Sequence, residues 1–382
     1  MSGLPLQGQL VRRSRLHVLI LLAFGCFFVP QARAQDLDKP LQNIDEEITA
    51  FSFAADGRIV YSVRRNIKTK KYDLQHDDIW LQETNGKRRR ILQGDKFNRG
   101  EELFSYAVDS FHWSPNGRMF LAQLFTTSVV EEGRTEDSFQ TLAFEDSGKE
   151  IHFGKGENII KDCYNPTWLQ DNSTIVYLNE AIKPHMLFSF RYFNISTGPA
   201  GPVFEGRTFV DSDRIPRTNA AIAVEQDRAQ SGPPRLQRLE LLAQDDKEVA
   251  TLESYAGGLS VSPSGKKVAY FIDREVLEVR DLTAPDHFAR LRVGLGVFHW
   301  FPDENRIMLK RAVERKSGDL VWINIPQLPA QKNAKDVSAL TPTPQPILRG
   351  ISIREFNISP DGRFLAVVLP GKRNLVVFPL PL

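Results

Sequence analysis

The sequence predicts an all-β fold, a single β-propeller built from four-stranded antiparallel blades. Three observations predict it: a strand–turn–strand unit that recurs, a turn of the Ser-Pro-Asp-Gly kind inside each copy, and no helical periodicity between copies. Aligned on the turn, the copies read FSFAADGRIVYSV from Phe51, FHWSPNGRMFLAQL from Phe111 and PTWLQDNSTIVYL from Pro166. Three more follow: LSVSPSGKKVAYFI from Leu259, FHWFPDENRIMLKR from Phe298 and FNISPDGRFLAVVL from Phe356.

Before the repeat comes an export signal. Arg12, Arg13 and Arg15 form a basic start, Leu16–Val29 (LHVLILLAFGCFFV) is apolar, and Ala32-Arg33-Ala34 supplies the small residues of a cleavage site. Cleavage is expected between Ala34 and Gln35. Removing residues 1–34 takes away four arginines and no acid, leaving 45 basic against 47 acidic side chains, a net charge of −2. That balance argues against a nucleic-acid binder, whose affinity rests on concentrated positive charge. No later stretch is apolar enough for a transmembrane helix. Cys163 is then the sole cysteine, so no internal disulfide forms and stability must come from a packed core.

The turn chemistry is specific. Proline pre-sets φ at the second position, Asp or Asn bonds its own backbone, and glycine accepts left-handed angles. The turn residues singled out are Asp56, Gly57, Pro115, Asn116, Gly117, Pro263, Gly265, Pro302, Asp303, Pro360, Asp361 and Gly362. A second hairpin follows most copies, as in Asp78–Leu92, Thr141–Phe153, Leu187–Phe204 and Val276–Leu291. Turn glycines or their equivalents fall at 57, 117, 172, 265, 304 and 362. The long gap from 172 to 265 implies one blade with a degraded signature, its turn at Asp213–Asn219. Seven blades are expected, or six if that region is an insertion. After Phe356 the chain has room for about three strands, so the N-terminal segment 35–47 is expected to supply the fourth and close the ring. The propeller proper spans 48–382.

Trp113-Ser114-Pro115-Asn116-Gly117-Arg118, Ser262-Pro263-Ser264-Gly265-Lys266 and Ser359-Pro360-Asp361-Gly362-Arg363 resemble the repeats of TolB-type, WD-repeat-like β-propellers of bacterial envelopes. The resemblance covers most of residues 48–382. It implies a periplasmic or secreted propeller, without the small α/β domain that precedes the propeller of TolB proper.

Catalytic motifs are sparse. No Gly-x-Ser-x-Gly elbow occurs, and Ser260 in GGLSVSP is its nearest imitation, inside a repeat strand. Histidines remain at 76, 112, 152, 185, 287 and 299, without a His-Glu-x-x-His pair. His76-Asp77-Asp78 and Asp211-x-Asp213 offer oxygens to a cation but lack a calcium-loop pattern, so solvated loops are the plainer reading. His112 and His299 recur in one repeat position, where the other copies carry Ser52, Thr167, Ser260 and Asn357, which suits a seam between blades. The basic runs Lys68, Lys70, Lys71 and Lys87-Arg88-Arg89-Arg90 read as charged hairpin edges or a dock for an anionic surface. Glu131–Ser138 extends a hairpin, and Pro326–Pro346 reads as an extended, exposed loop. No cofactor, metal or catalytic residue is assigned. The expected function is a monomeric, non-enzymatic module that binds an envelope protein or a glycan or peptide ligand. The rival is a lyase or a glycan or peptide hydrolase whose site at the channel mouth is assembled from several blades.

Overall fold

Each repeated turn closes by a backbone hydrogen bond from its fourth residue to its first: Gly57 to Ala54, Gly117 to Ser114, Gly265 to Ser262, Glu304 to Phe301 and Gly362 to Ser359. The serine before the proline does a second job. Ser114 Oγ accepts from Met119 N at 3.0 Å and donates to Asn116 Oδ1 at 2.8 Å, while Ser359 Oγ joins Phe364 N and Asp361 Oδ1 in the same way. These buried hydroxyls lock the register of the hairpins that follow.

The computed structural model of the protein describes residues 39–68, 73–94, 103–131, 134–152, 159–182, 187–229, 231–311, 320–331, 337–348 and 353–380. The expected signal peptide and its Ala34–Gln35 cleavage site lie outside these residues, as does His185. In chain order, β1 (Gln42–Ile44) precedes the first blade, β2 (Ile48–Phe53), β3 (Ile59–Val63), β6 (Asp78–Gln82) and β7 (Arg88–Leu92), which is interrupted by the ribbon β4 (Asn66–Lys68) and β5 (Asp73–Gln75). The second blade is β8 (Leu103–Trp113), β9 (Met119–Glu131), β10 (Arg134–Glu145) and β11 (Ile160–Lys161). Then come β12 (Tyr164–Trp168), β13 (Thr174–Ile182), β14 (Leu187–Asn194), β15 (Gly198–Val203), β16 (Phe209–Arg214), β17 (Ala220–Glu225), β18 (Arg235–Glu240) and β19 (Asp245–Thr251). Two further blades are β20 (Gly257–Val261), β21 (Lys267–Phe271), β22 (Val276–Asp281), β23 (Phe288–Arg292), and β24 (Gly296–Trp300), β25 (Arg306–Arg311), β26 (Leu320–Asn324), β27 (Gln345–Leu348). The last consists of β28 (Glu355–Ile358), β29 (Phe364–Val368) and β30 (Leu375–Pro379), with β1 as its fourth strand.

The fold is an all-β propeller of antiparallel blades, but the expected count of seven, or six, is corrected. Five sheets are separate four-stranded blades, and β12 to β19 form one continuous eight-stranded sheet. The reason is local. Strand β14 is longer than the stretch β15 covers, and its surplus end pairs Phe188 with Phe209 of β16. The degraded turn does lie between β16 and β17, with Arg217 at φ 62° where other copies place glycine in or near the bend.

The inner strands follow one another around the centre, β2 lying against both β8 and β28. Strand β1 pairs with β30 through Gln42–Val377, Asn43–Val376 and Ile44–Leu375. The core sits between sheets rather than on the axis. Ile44, Ile48, Phe51 and Tyr61 pack with Ala366, Val368 and Leu375 at the closing seam, and similar clusters fill the others. The described parts of the segment 326–346, residues 326–331 and 337–346, are not free: Phe288 N donates to Pro329 O, Arg292 N to Leu340 O and Leu340 N to Arg290 O, which lays them along the outer strand β23. That covers an edge otherwise open to pairing.

Adjacent turns interlock as well. A Cβ on Gly265, at φ +77°, would stand 2.6 Å from Ile215 Cγ2, whereas one on Gly117, at φ +67°, meets nothing nearer than 4.0 Å. Gly117→Ala should therefore cost about 1 kcal/mol from backbone strain alone. Gly265→Ala should cost about 2 kcal/mol or more, because overlap adds to strain. Urea unfolding of both variants measures the difference, and equal costs would contradict the interlock.

Candidate functional site: the channel and its entry face

The inner strands line the channel that a propeller leaves on its axis. Every one of them places a polar residue two positions before its turn: Ser52, His112, Thr167, Asp213, Ser260, His299 and Asn357. Their register partners on the second strands are Val60, Leu121, Val176, Ile222, Ala269, Met308 and Ala366. Asp213 is the member that sequence reading missed. Its turn lacks the Ser-Pro-Asp-Gly pattern, and the offset from Ile215 was the only signal.

The channel carboxylates are committed to holding neighbouring strands. Asp213 Oδ2 accepts from Val261 N of β20 at 2.7 Å, and Asp211 Oδ2 accepts from Leu259 N at 3.3 Å and from the Tyr255 hydroxyl. Asp77 Oδ2 accepts from Val108 N of β8 at 3.0 Å and from Thr49 Oγ1 of β2 at 2.7 Å. Asn165 Nδ2 donates to Ser212 O at 2.7 Å. The indole N–H groups of Trp168 and Trp300 reach back to the His112 and Ser260 carbonyls, at 3.2 and 3.3 Å. Burial pushes the Asp213 carboxyl up to about 7, with nearby Asp211 adding to the rise and the N–H donors of Val261 and Arg214 opposing it. Burial raises Asp77 and Asp211 too.

The two histidines stand on β8 and β24, which do not adjoin. His112 meets Ser110 Oγ at 2.9 Å, and the His299 ring lies edge-on to Phe356 at 4.9 Å. Burial lowers both to about 4, so both are neutral at pH 7. The loop His76-Asp77-Asp78 is structural: His76 stacks on Tyr106, and buried Asp78 is bonded to Arg65 at 2.9 Å and to Gly94 N at 2.7 Å. Among the described residues, no three His, Cys, Asp or Glu gather to hold a metal. No base is hydrogen-bonded to the Ser260 hydroxyl there either. Cys163 is wholly buried, and its thiol is pushed up to about 12 by burial.

The two faces differ. The repeated turns occupy one face, where Asp56, Gly57 and Asp361 meet around a cavity of ≈ 230 Å³ also lined by Leu41, Phe53 and Phe364. Pro360 and Gly362 flank Asp361 in that same bend, whereas Pro115, Asn116, Gly117, Pro263, Gly265, Pro302 and Asp303 belong to the other bends on that face. On the opposite, entry face, where the inner strands begin, the hairpin β9–β10 projects. Its exposed Phe125 starts an aromatic row through Phe139, Tyr164 and Phe188, with centroids 5.5, 4.9 and 5.1 Å apart. Leu295 and Val297, at the start of β24, are exposed as well. At this mouth a bulge between Val108 and Ser110 sets Asp109 out of the ladder. Solvent reaches the residue, yet its carboxyl is enclosed enough to be raised by burial. Glu355 is raised to about 7 by burial, with Arg354 and Lys310 opposing and Asp109 reinforcing. Burial lowers Lys310, whose Nζ donates to the Arg354 carbonyl at 2.5 Å.

No protein-family model matches the chain, and no curated protein is detectably similar in sequence. Solved structures are similar in fold. A chain in the crystal structure of a mitotic checkpoint complex superposes with a TM-score of 0.58 at 10% identity, covering 100% of this chain and 98% of that one. The β-propeller domain of Cps50 (Swd1) from Myceliophteria thermophila gives 0.56 at 9% identity, covering 89% of this chain and 100% of that one. These likenesses show a WD40-like β-propeller. They lend no support to a TolB-type or bacterial periplasmic identity.

The clip at Asp213 has a pH signature. Its folded pKa lies above the unfolded value, so its contribution to stability is present at low pH and is lost as pH rises through about 7. Asp213→Asn keeps an oxygen for Val261 N but removes the charge. The variant should gain on wild type in urea unfolding between pH 5.5 and pH 8. Asp213→Leu, which loses the acceptor, should cost about 1–3 kcal/mol at pH 5.5. A stability difference between wild type and Asp213→Asn that does not change with pH would contradict the assignment.

Proposed function

We propose that the protein is a non-enzymatic binding propeller that docks a protein partner on its entry face. The observation that supports it most is the contrast between the two kinds of polar group. Carboxylates between the blades serve as strand-to-strand clips, while Phe125, Leu295 and Val297 leave apolar surface exposed on the entry face. Propellers recruit partners through such faces, and one structural neighbour is part of a multi-protein checkpoint complex. Residues 1–34 are proposed to export the chain, so that the partner belongs to the envelope or its surroundings.

The rival reading, a lyase or glycan or peptide hydrolase at the mouth, has one observation in its favour. Glu355, raised to about 7, stands beside Asp109, which burial also raises, and raised carboxyls are groups that acid–base chemistry uses. Under that reading Glu355→Gln abolishes turnover. Under the docking reading it leaves partner capture intact.

A photo-crosslinking residue placed at Phe125 or Val297 in native cells should trap one partner, and the same residue at Asn116 on the turn face should not. The trapped chain should begin at Gln35 on N-terminal sequencing. Adducts from Asn116 alone would overturn the docking face, and a chain retaining residues 1–34 would overturn export.

A further inference from the structure

At the seam between the first and last blades, three arginines crowd around one carboxylate on the entry face. Glu47 precedes β2, Arg64 follows β3, Arg354 precedes β28, and Arg373 lies between β29 and β30. Backbone bonds hold them together: Arg64 N to Glu47 O at 2.7 Å, Ile48 N to Arg373 O at 3.0 Å, and Arg354 N to Val368 O at 2.8 Å. Glu47 Oε1 lies 3.4 Å from Arg64 Nη1 and 3.2 Å from Arg373 Nη1, so two guanidiniums share a single oxygen.

The arrangement leaves donors unused. Arg64 Nε and Arg373 Nη1 are buried with no hydrogen-bond partner, the contact of the latter to Glu47 being close but not aligned. Arg354 is exposed and forms no ion pair among the described residues. Partial burial, with the charges of Arg373 and Arg64, holds its guanidinium below the ordinary arginine value. The other charged groups coupled to the cluster include Lys310, Asp109, Glu355 and Asp77, the last facing Arg64, and burial draws all three acids toward their neutral forms. Positive charge is therefore in excess, and buried N–H groups lack acceptors, a cost that a bound anion recovers.

We infer that Glu47, Arg64, Arg354 and Arg373 form a binding site for an oxyanion group, a carboxylate or phosphate, borne by what docks on the entry face. Planar guanidinium forks match both groups in geometry and charge. Glu47 holds two of the forks in place, and Arg354 is the fork open to the newcomer. The inference rests on the docking reading of this face, but its test needs no partner.

The test is an NMR titration of the purified protein with sodium phosphate and, separately, sodium acetate at fixed ionic strength, following the arginine Nε–Hε resonances. Saturable shifts of Arg64, Arg354 and Arg373 are expected. Arg354→Gln should raise the dissociation constant about 10-fold or more, the worth of one charge-assisted hydrogen bond. Arg363→Gln, which removes the same charge from the turn face, should leave it unchanged. Tighter phosphate binding assigns a phosphate-bearing ligand, and tighter acetate binding a carboxylate. Non-saturable shifts, or equal weakening by both substitutions, would overturn the site. Those failures leave the crosslinks at Phe125 and Val297 unaffected, so the two readings fail separately.

Discussion

The structure depends on how the inner strands are joined. In the separate blades, each inner strand pairs within its sheet on one side only, and its other edge, apart from one bridge between Tyr106 of β8 and His76, faces the channel and the next blade. Unpaired peptide groups there cost about as much as lost hydrogen bonds. Side chains answer the need, with Asp213 and Asp211 tying β16 to β20, and Asp77, just before β6, bridging β2 and β8. Trp168 and Trp300 do the same in the reverse direction by donating to carbonyls of the preceding blade. The apolar clusters between sheets supply most of the burial, and the clips set the angle and register at which those sheets meet.

This division of labour shapes the functional reading. A carboxylate that accepts two structural hydrogen bonds is poorly placed to trade protons with a substrate; buried, neutral His299 packs on Phe356, and buried, neutral His112 is bonded to the Ser110 hydroxyl, which in turn donates to Gln123 Oε1. The entry face carries exposed apolar residues, Phe125, Leu295 and Val297, and arginines with uncommitted donors. The turn face is occupied by bends whose polar atoms bond one another.

Much of this was legible in the sequence because turn chemistry is local. Ser359-Pro360-Asp361-Gly362 specifies its bend with atoms no more than a few residues apart, and the alternation around it specifies the strands. The blade count was not legible, since the pairing of Phe188 with Phe209 that merges two hairpin pairs depends on strand overhang rather than composition. The fate of 326–346 was hidden for a similar reason: its prolines signal extension, but only the neighbouring β23 edge shows where an extended segment goes. The arginine cluster joins residues from both ends of the chain, such as Arg64 and Arg373, so no linear motif announces it.

The central claim, that side-chain clips close the gaps between inner strands, is tested most directly by hydrogen exchange. The amides of Val108 and Val261 face neighbouring blades and have carboxylates of those blades as acceptors. The account predicts slow exchange at both, with protection at Val261 kept in Asp213→Asn and lost in Asp213→Leu. Exchange of Val261 near the unprotected rate in the wild-type protein would contradict it.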